Sequence, residues 1–266
     1  MPAPSSNPST AYADLGIHYG DGWYDKQIAD LLASARVYVA FLWRYVQPRS
    51  VLDVGCGRGP WLRAWHEQGA TTLLGFDGAW NSRAKMIDPA IRFTAVDLNR
   101  PFAPPGPVDL AMSLETAEHL DPASGPGFVA SLAQASDLLL FSAAYSYQGG
   151  TQHVNEQPHS YWARLFDAHG FAPFDLLRPV FWGDARVCYW YRQNAFVYAR
   201  RDSPAWARLA AQGLAPMADV RFMDCVHPDL YRMKVDGEIP LSLHLADLWP
   251  SVRRAIARRL RRDARR

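Results

Sequence analysis

Hydrophobic positions near the start of the chain recur at helical spacing. From Tyr24 to Val46 apolar residues fall three and four positions apart, which predicts an amphipathic helix with one buried face. Pro48 ends this pattern. Beyond it, short continuous apolar runs alternate with stretches of helical periodicity. Such runs are typical of parallel strands that helices cover on both faces.

Five apolar runs predict the central strands of one sheet. In chain order they are SVLDV, TTLLGFD, IRFTAVDL, VDLAMSL and DLLLFSAA. Segments with helical periodicity lie between or after them, namely GPWLRAWHEQG, GPGFVASLAQAS and PHSYWARLFDAHG. Strands that alternate with helices in this way predict an α/β fold with a Rossmann-like, doubly wound sheet.

Two later segments are expected to complete the sheet as a strand pair, FAPFDLLRPVFW and ARVCYWYRQNAFVYARR. The second segment alternates two sets of side chains, Val187, Tyr189 and Tyr191 against Cys188, Trp190 and Arg192. This alternation indicates a strand at a sheet edge. A terminal hairpin makes the last strand antiparallel, so we expect seven strands that are mainly parallel.

Composition and charge limit the class of protein. The chain has 266 residues, of which 49% are hydrophobic, enough for one domain with a substantial core and an appendage. The formal net charge of +2 hides an acidic body, because residues 250–266 hold eight arginines and one aspartate. An acidic body argues against nucleic acid as a partner. Three dispersed cysteines, no signal peptide and no membrane-spanning apolar run lead us to expect a cytoplasmic protein.

The stretch VLDVGCGRGPW places Gly55, Gly57 and Gly59 at alternate positions after a predicted strand. The dinucleotide fingerprint GxGxxG does not fit, because Pro60 takes the place of the third glycine. Asp53 precedes the glycines. A carboxylate at that position repels a pyrophosphate but pairs with the cation of an amino acid group.

Two further acids end the second and third predicted strands. Asp77 follows Gly59 by 18 residues, where a carboxylate can accept both hydroxyls of a ribose. Asp97 stands where it can accept from the amino group of an adenine. Together these acids predict a nucleoside cofactor whose tail is an amino acid.

Four stretches resemble the motifs of the class I S-adenosylmethionine-dependent methyltransferases over about residues 50–200. They are LDVGCGRG, LGFDG, AVDL and VDLAMSLETAEHL. The resemblance implies S-adenosylmethionine as cofactor, with Asp53 at its methionine end, Asp77 at its ribose and Asp97 at its adenine. The residues implied for the cofactor site are Asp53, Gly55, Cys56, Gly57, Asp77, Gly78, Asp97, Leu98, Ser113 and Glu115. Cys56 is expected to fill space in the turn rather than to act as a nucleophile.

With that resemblance the chain divides into three parts. Residues 1–47 are expected to form a helical N-terminal lid, and residues 48–202 the methyltransferase domain. Residues 203–266 are a C-terminal extension with an arginine-rich tail.

Candidate catalytic residues follow the fourth and fifth strands. In ETAEHL the residues Glu115, Glu118 and His119 are spaced to share one face of a helical turn. His153, in the loop after the fifth strand, is expected beside the same cleft as a general base. The alternative is that this polar loop only fixes itself by hydrogen bonds.

The same four residues also suit a metal ion. Two carboxylates and two imidazoles, from Glu115, Glu118, His119 and His153, would hold one Mg²⁺ or Mn²⁺ and chelate a vicinal diol. This set resembles the ExxEH…H centre of the small-RNA 2′-O-methyltransferases. The alternative is that the glutamates and histidine cap the turn or border the cofactor without a metal.

Aromatic residues are candidates for the acceptor site. Tyr145 and Tyr147 follow the fifth strand and are expected to form a wall of the acceptor pocket. Tyr19 and Trp23 lie in the N-terminal segment and are expected to cover the cofactor as a lid, with simple packing as the alternative.

The function that these features favour is O-methylation of a small-molecule hydroxyl, with a sugar or glycoside first, in natural-product or glycan biosynthesis. One alternative is C-methylation of a prenyl or other apolar acceptor. Another is 2′-O-methylation of RNA ribose with the arginine tail as anchor, and a third is a cofactor-binding module without activity. The tail, residues 251–266, is also a candidate for contact with an anionic membrane surface. The pattern favours no particular oligomeric state.

Overall fold

The computed structural model describes residues 21–104 and 106–235, and side chains from residue 28 onward. Three parts of the sequence expectations lie outside this description: Tyr19, the side chain of Trp23 and the tail at 251–266. The proposed lid contacts and the membrane role of the tail therefore stay predictions.

Seven strands form one sheet in the order β3-β2-β1-β4-β5-β7-β6. Their bounds are β1 Ser50–Val54, β2 Thr72–Asp77, β3 Arg92–Ala95, β4 Leu110–Leu114, β5 Leu138–Ser142, β6 Phe171–Phe174 and β7 Phe196–Arg200. Strands β1 to β5 pair in parallel, and β7 is antiparallel to both of its neighbours. The expected seven-stranded, mainly parallel sheet is confirmed.

The antiparallel strand does not lie at the edge as expected. β7 is inserted between β5 and β6, and its residues Phe196 to Ala199 are all buried. β6 forms the edge instead and contains Pro173. Proline lacks an amide donor and is therefore tolerated in an edge strand rather than between two partners.

The other expectation that is wrong concerns the segment before β7. The helix α6, Tyr189–Asn194, replaces the predicted edge strand, and a short helix α5, Arg178–Phe181, precedes it. Tyr191 packs edge-on against Trp61 with ring centroids 4.9 Å apart, and the indole N–H of Trp61 donates to its hydroxyl. These long-range contacts outweigh the local alternation, because strand propensity depends strongly on tertiary context.

Helices cover both faces of the sheet. The bounds of the longer ones are α1 Asp21–Leu42, α2 Pro60–Gln68, α3 Gly125–Ala135, α4 His159–Asp167, α7 Pro204–Ala211 and α8 Pro228–Val235. Successive residues of β1 point to opposite faces, so Val51 packs with Trp65 below α1 and Leu52 packs with Phe128 and Phe166. The sheet is thus doubly wound, and its carboxyl edge is left open between the two helical layers. Among residues 21–104 and 106–235 no helix is both long and apolar enough to cross a membrane.

Candidate active site

A cavity of about 500 Å³ opens at the carboxyl ends of β1, β2 and β4. Most residues that the sequence assigned to the cofactor line it, namely Asp53, Gly55, Cys56, Gly57, Asp77, Asp97, Leu98 and Glu115. Gly78 and Ser113 do not line it. The amide of Gly78 donates to Asp77 Oδ1, and Ser113 is buried within β4.

The glycine turn after β1 is held open for a ligand. Gly55 has a φ of +85°, and a Cβ at this position would lie 2.1 Å from the hydroxyl oxygen of Thr116. Gly57 also has a positive φ, and its amide donates to Asp77 Oδ2 over 2.6 Å. Only glycine adopts this backbone without strain and leaves the wall free of side chains.

Two buried carboxylates lie beside this turn. Burial raises the pKa of Asp77 to about 6, against the lowering effect of the amides of Gly78 and Gly57. Burial, followed by the charge of Asp77, raises the pKa of Asp53 well above its usual range. A pair of desolvated acids is stabilised by a ligand that brings a cation and hydroxyl donors. The methionine ammonium and ribose of the cofactor implied by the sequence would supply both.

Glu115 is not in the position that its spacing suggested. It has a φ of +51°, and only Ala117–His119 form a 3₁₀ turn after it. Its two carboxylate oxygens accept from Asn194 Nδ2, each over 3.1 Å, and one of them accepts from Gln148 Nε2 over 3.5 Å. The expected shared helical face of Glu115, Glu118 and His119 is therefore wrong, because the left-handed residue turns the chain before the helical turn begins.

Glu118, His119 and His153 do come together at the cavity wall. One potential ligand atom from each lies within 4.8 Å of the others. The imidazole rings of His119 and His153 are 4.8 Å apart and nearly perpendicular. The loop that carries His153 is tied to the 3₁₀ turn, since the amides of Val154 and Asn155 both donate to the carbonyl of Glu118.

The carboxylate of Glu118 is buried and unpaired. Neither of its oxygens has a hydrogen-bond partner among the residues that the structure describes. Burial, then the charge of Glu115, raises the pKa of Glu118 well above its usual range. The backbone amides of Glu118 and Ala144 lie close enough to oppose this in part, but neither reaches hydrogen-bond geometry with the carboxylate. Burial next to His153 lowers the pKa of His119 to about 3, so its imidazole is neutral at physiological pH.

His153 is oriented by a second carboxylate. Its Nδ1 lies 2.8 Å from Glu156 Oε1, and that oxygen also accepts the amide of Gly149 over 2.6 Å. A Cβ on Gly150 would lie 2.3 Å from the imidazole, so this glycine makes room for the ring. The contact with Glu156 favours the tautomer with a proton on Nδ1, which leaves Nε2 to accept a proton or bind a ligand.

The aromatic wall of the cavity differs from the expected one. Tyr145 packs against His159 and Tyr147 is 82% exposed, and neither lines the cavity. Tyr189 and Trp190 of α6 do line it. Sequence reasoning missed them because the segment was assigned to a sheet edge. Other lining residues that it missed include Ile28, Leu31, Trp61, Trp80 and Asn99. Of these, only Trp80 carried a signal, since it follows the acid that ends β2 by three residues.

Comparisons with known proteins agree with this architecture. A family model described as a methyltransferase domain matches residues 24–176. An O-methyltransferase family protein from Burkholderia thailandensis superposes with a TM-score of 0.52 at 13% identity, covering 74% of this chain and 63% of that one. This chain thus spans less than two thirds of that protein.

A second similar structure is 1,6-didemethyltoxoflavin-N1-methyltransferase from Burkholderia thailandensis with bound 1,6-didemethyltoxoflavin and S-adenosylhomocysteine. It superposes with a TM-score of 0.50 at 22% identity, covering 76% of this chain and 94% of that one. No curated protein matches the chain. The structural likenesses show a shared fold, and the family model covers more than half of the sequence. The chain therefore belongs to the methyltransferase domain family, within the class I S-adenosylmethionine-dependent superfamily that its motifs resemble.

Proposed function

We propose that this protein transfers the methyl group of S-adenosylmethionine to a hydroxyl of a small polar acceptor, with a sugar or glycoside first. The observation that carries the proposal is the imidazole of His153, which Glu156 holds on the wall of the cofactor cavity. A base in this position suits an acceptor that must lose a proton as it is methylated. Natural-product or glycan biosynthesis is the setting in which such acceptors are methylated.

The glycine turn and the two buried acids support S-adenosylmethionine as the donor. Asp77 would accept from the ribose hydroxyls, and Asp53 would face the ammonium group of the methionine. Asp97 and Leu98 line the same cavity further along and would flank the adenine. The similar N1-methyltransferase structure holds S-adenosylhomocysteine, which agrees with this assignment.

The reaction needs a hydroxyl oxygen in line with the sulfonium methyl group. The oxygen forms a bond to the methyl carbon while the carbon–sulfur bond breaks and its electron pair stays on sulfur. The hydroxyl proton passes to His153 Nε2, and the carboxylate of Glu156 stabilises the imidazolium that results. Neutral His119 stands beside this ring and adds no positive charge that would oppose protonation of His153.

The polar side chains of Glu118, His119, His153 and Glu156 are the reason to prefer a hydroxyl acceptor to an apolar one. Tyr189, Trp190 and Trp61 provide an aromatic wall that would also suit a prenyl group. C-methylation there would proceed through a carbocation that π faces and a carboxylate stabilise before it loses a proton. The pairing of His153 with Glu156, which suits removal of a proton from a hydroxyl, favours the hydroxyl acceptor. RNA ribose methylation uses the same base but also needs a basic surface.

The test is transfer of a tritiated methyl group to a panel of sugars and glycosides, prenyl and phenolic compounds, and RNA. We expect a sugar or glycoside to be labelled. The variants His153→Ala and Glu156→Gln should lose about 10²- to 10⁴-fold and about 10-fold in kcat respectively, with unchanged affinity for S-adenosylhomocysteine. His169→Ala, a change at an exposed histidine, is the matched control and should keep full activity. Labelling of prenyl compounds or RNA alone would overturn the acceptor class and leave the methyl donor in place.

A further inference from the structure

We propose that Glu118, His119 and His153 form a binding site for one divalent transition-metal ion at the acceptor end of the cavity. Ion binding can be measured without any acceptor, and only the catalytic role of the ion rests on the proposed function. The inference stands on the geometry of the three side chains, on the unpaired state of Glu118 and on the support of His153 by Glu156.

The three side chains are spaced for a shared ion. Their ligand atoms lie within 4.8 Å of one another. Bonds of about 2.1 Å to one metal ion separate neighbouring ligand atoms by roughly 3 Å, so small side-chain rotations close the set. They come from two segments that the backbone bonds of Val154 and Asn155 to Glu118 hold together. Folding alone therefore brings the ligands together.

Glu118 is the second and independent indication of a ligand. Its side chain has no exposed surface, and both oxygens are without a partner in the described part of the chain. A buried carboxylate without a hydrogen bond or a cation is costly, and proteins seldom keep one without a use. Its neighbours Glu115 and Glu156 add negative charge and raise that cost. A divalent cation would remove it.

The surroundings of His153 match those of a metal-binding imidazole. The contact of Nδ1 with Glu156 Oε1 over 2.8 Å favours a proton on Nδ1, which leaves the other ring nitrogen, Nε2, able to bind an ion. Metal-bound histidines commonly have such a carboxylate on the far nitrogen, where it fixes the ring and raises its basicity. Gly149 in turn fixes Glu156 by its amide.

The ligand types indicate which metal ion binds, and they change the sequence expectation of Mg²⁺ or Mn²⁺ held by four residues. Two imidazoles and one carboxylate favour Mn²⁺, Fe²⁺, Co²⁺ or Zn²⁺, whereas Mg²⁺ and Ca²⁺ prefer oxygen ligands alone. Glu115 is not part of this set, because Asn194 and Gln148 occupy its carboxylate. Three protein ligands leave open positions that face the cavity.

Those open positions define the acceptor more narrowly. Two adjacent hydroxyl oxygens of a sugar would occupy them as a chelate, and the ion would lower the pKa of the hydroxyl to be methylated. In the ion-loaded protein His153 would be a ligand, and the hydroxyl proton would pass to water. In the ion-free protein the same nitrogen is the base. A vicinal diol is therefore the acceptor expected to gain most from the ion.

The experiment is a titration of the chelated, full-length protein with Co²⁺, Mn²⁺, Zn²⁺ and Mg²⁺. Ion binding is measured by calorimetry and, for Co²⁺, also by visible absorption. A Cys225→Ser background removes an exposed thiol that would bind Zn²⁺ and Co²⁺ elsewhere. We expect one transition-metal ion per chain, with Mg²⁺ bound at least 100-fold more weakly. Glu118→Gln and His119→Gln should each weaken binding at least 30-fold, while His169→Ala should keep it. Binding of S-adenosylhomocysteine by each variant checks that it is folded.

The site is overturned if no transition-metal ion binds with a stoichiometry of one. It is equally overturned if folded Glu118→Gln and His119→Gln bind as the parent does. Its failure is distinct from failure of the proposed function, which is read from methyl transfer by the chelated protein. Transfer to a sugar without any ion binding would keep the acceptor class and reject the metal site. Ion binding without transfer to any hydroxyl would keep the site and reject the acceptor class.

Discussion

Replacement of Asp77 by asparagine should affect the stability of the fold and the affinity for the cofactor differently. Asp77 is buried in the cavity wall and accepts the amides of Gly57 and Gly78. Asparagine has nearly the same shape but carries no charge. We expect Asp77→Asn to cost little stability, or to raise it, in the ligand-free protein at alkaline pH. The same variant should bind S-adenosylhomocysteine weakly.

The magnitude follows from the pKa of Asp77, which folding raises from its ordinary value of 3.8 to about 6. Because the folded pKa is the higher one, the protonated group stabilises the fold fully below pH 3.8, and this contribution is lost as pH rises through 6. At pH 8 the ionised carboxylate costs about 3 kcal/mol, at roughly 1.4 kcal/mol per pKa unit. About half of that cost is already present at pH 5. The stability of Asp77→Asn relative to the parent should therefore rise by about 1 to 2 kcal/mol between pH 5 and pH 8.

A second contribution to the difference in stability between Asp77→Asn and the parent does not depend on pH. The amide nitrogen of asparagine cannot accept a hydrogen bond, so the N–H of Gly57 or Gly78 loses its partner at a cost of about 1 to 3 kcal/mol. The ribose hydroxyls also lose a charged acceptor. A hydrogen bond to a charged group contributes about 1.5 to 3 kcal/mol, so the Kd for S-adenosylhomocysteine should rise roughly 10- to 100-fold.

The assay is urea unfolding at pH 5 and pH 8, together with calorimetric titration of S-adenosylhomocysteine at pH 8. Asp167→Asn is the control, because that aspartate is 62% exposed in its ion pair with Arg201 and its loss should change stability by less than about 1 kcal/mol. The reasoning is refuted if Asp77→Asn binds S-adenosylhomocysteine as tightly as the parent. It is also refuted if the stability difference stays the same at both pH values.

Three further substitutions test the turn, the core and the support of Glu115. Gly55→Ala forces a Cβ onto Thr116 at a φ of +85° and should cost about 1 to 3 kcal/mol and weaken cofactor binding. Unchanged urea unfolding would contradict this, and Thr116→Gly in the same chain should relieve only the clash. Phe166→Ala opens a cavity in the core and should cost about 3 to 5 kcal/mol with cofactor affinity intact; a loss below 1 kcal/mol in the same assay would speak against tight packing there. Asn194→Ala leaves the carboxylate of Glu115 without its closest donor and should cost about 1 to 3 kcal/mol; an equally stable variant would show that this contact contributes nothing.

Local sequence patterns predicted most of the residues that line the cavity proposed for the cofactor. The glycines after β1 and the acids that end β2 and follow β3 depend on turn chemistry and on strand ends, both of which are written in consecutive residues. Because the carboxyl ends of parallel strands meet at one edge, Asp53, Asp77 and Asp97 had to lie near one another once the sheet was parallel. All three line the same cavity in the structure.

Patterns in consecutive residues failed where distant contacts decide conformation. The aromatic segment at 187–192 alternates as a strand would, yet packing of Tyr191 on Trp61 makes it a helix and brings Tyr189 and Trp190 into the cavity. Spacing placed Glu115 with Glu118, but the left-handed conformation of Glu115 and its bonds to Asn194, 79 residues away, direct it elsewhere.

The amino-acid pattern alone was thus enough for the α/β class, the parallel sheet and the cofactor turn, and the resemblance of four motifs to a known family indicated the superfamily. The first three rest on hydrophobic periodicity and on residues that constrain the backbone within a few positions. Only the folded chain decided that β7 enters between β5 and β6, that Glu118 is buried without a hydrogen bond from the residues that the structure describes, and that Glu156 holds His153. These features depend on which distant surfaces pack together, and the free energy of that packing is a property of the whole core rather than of any one segment.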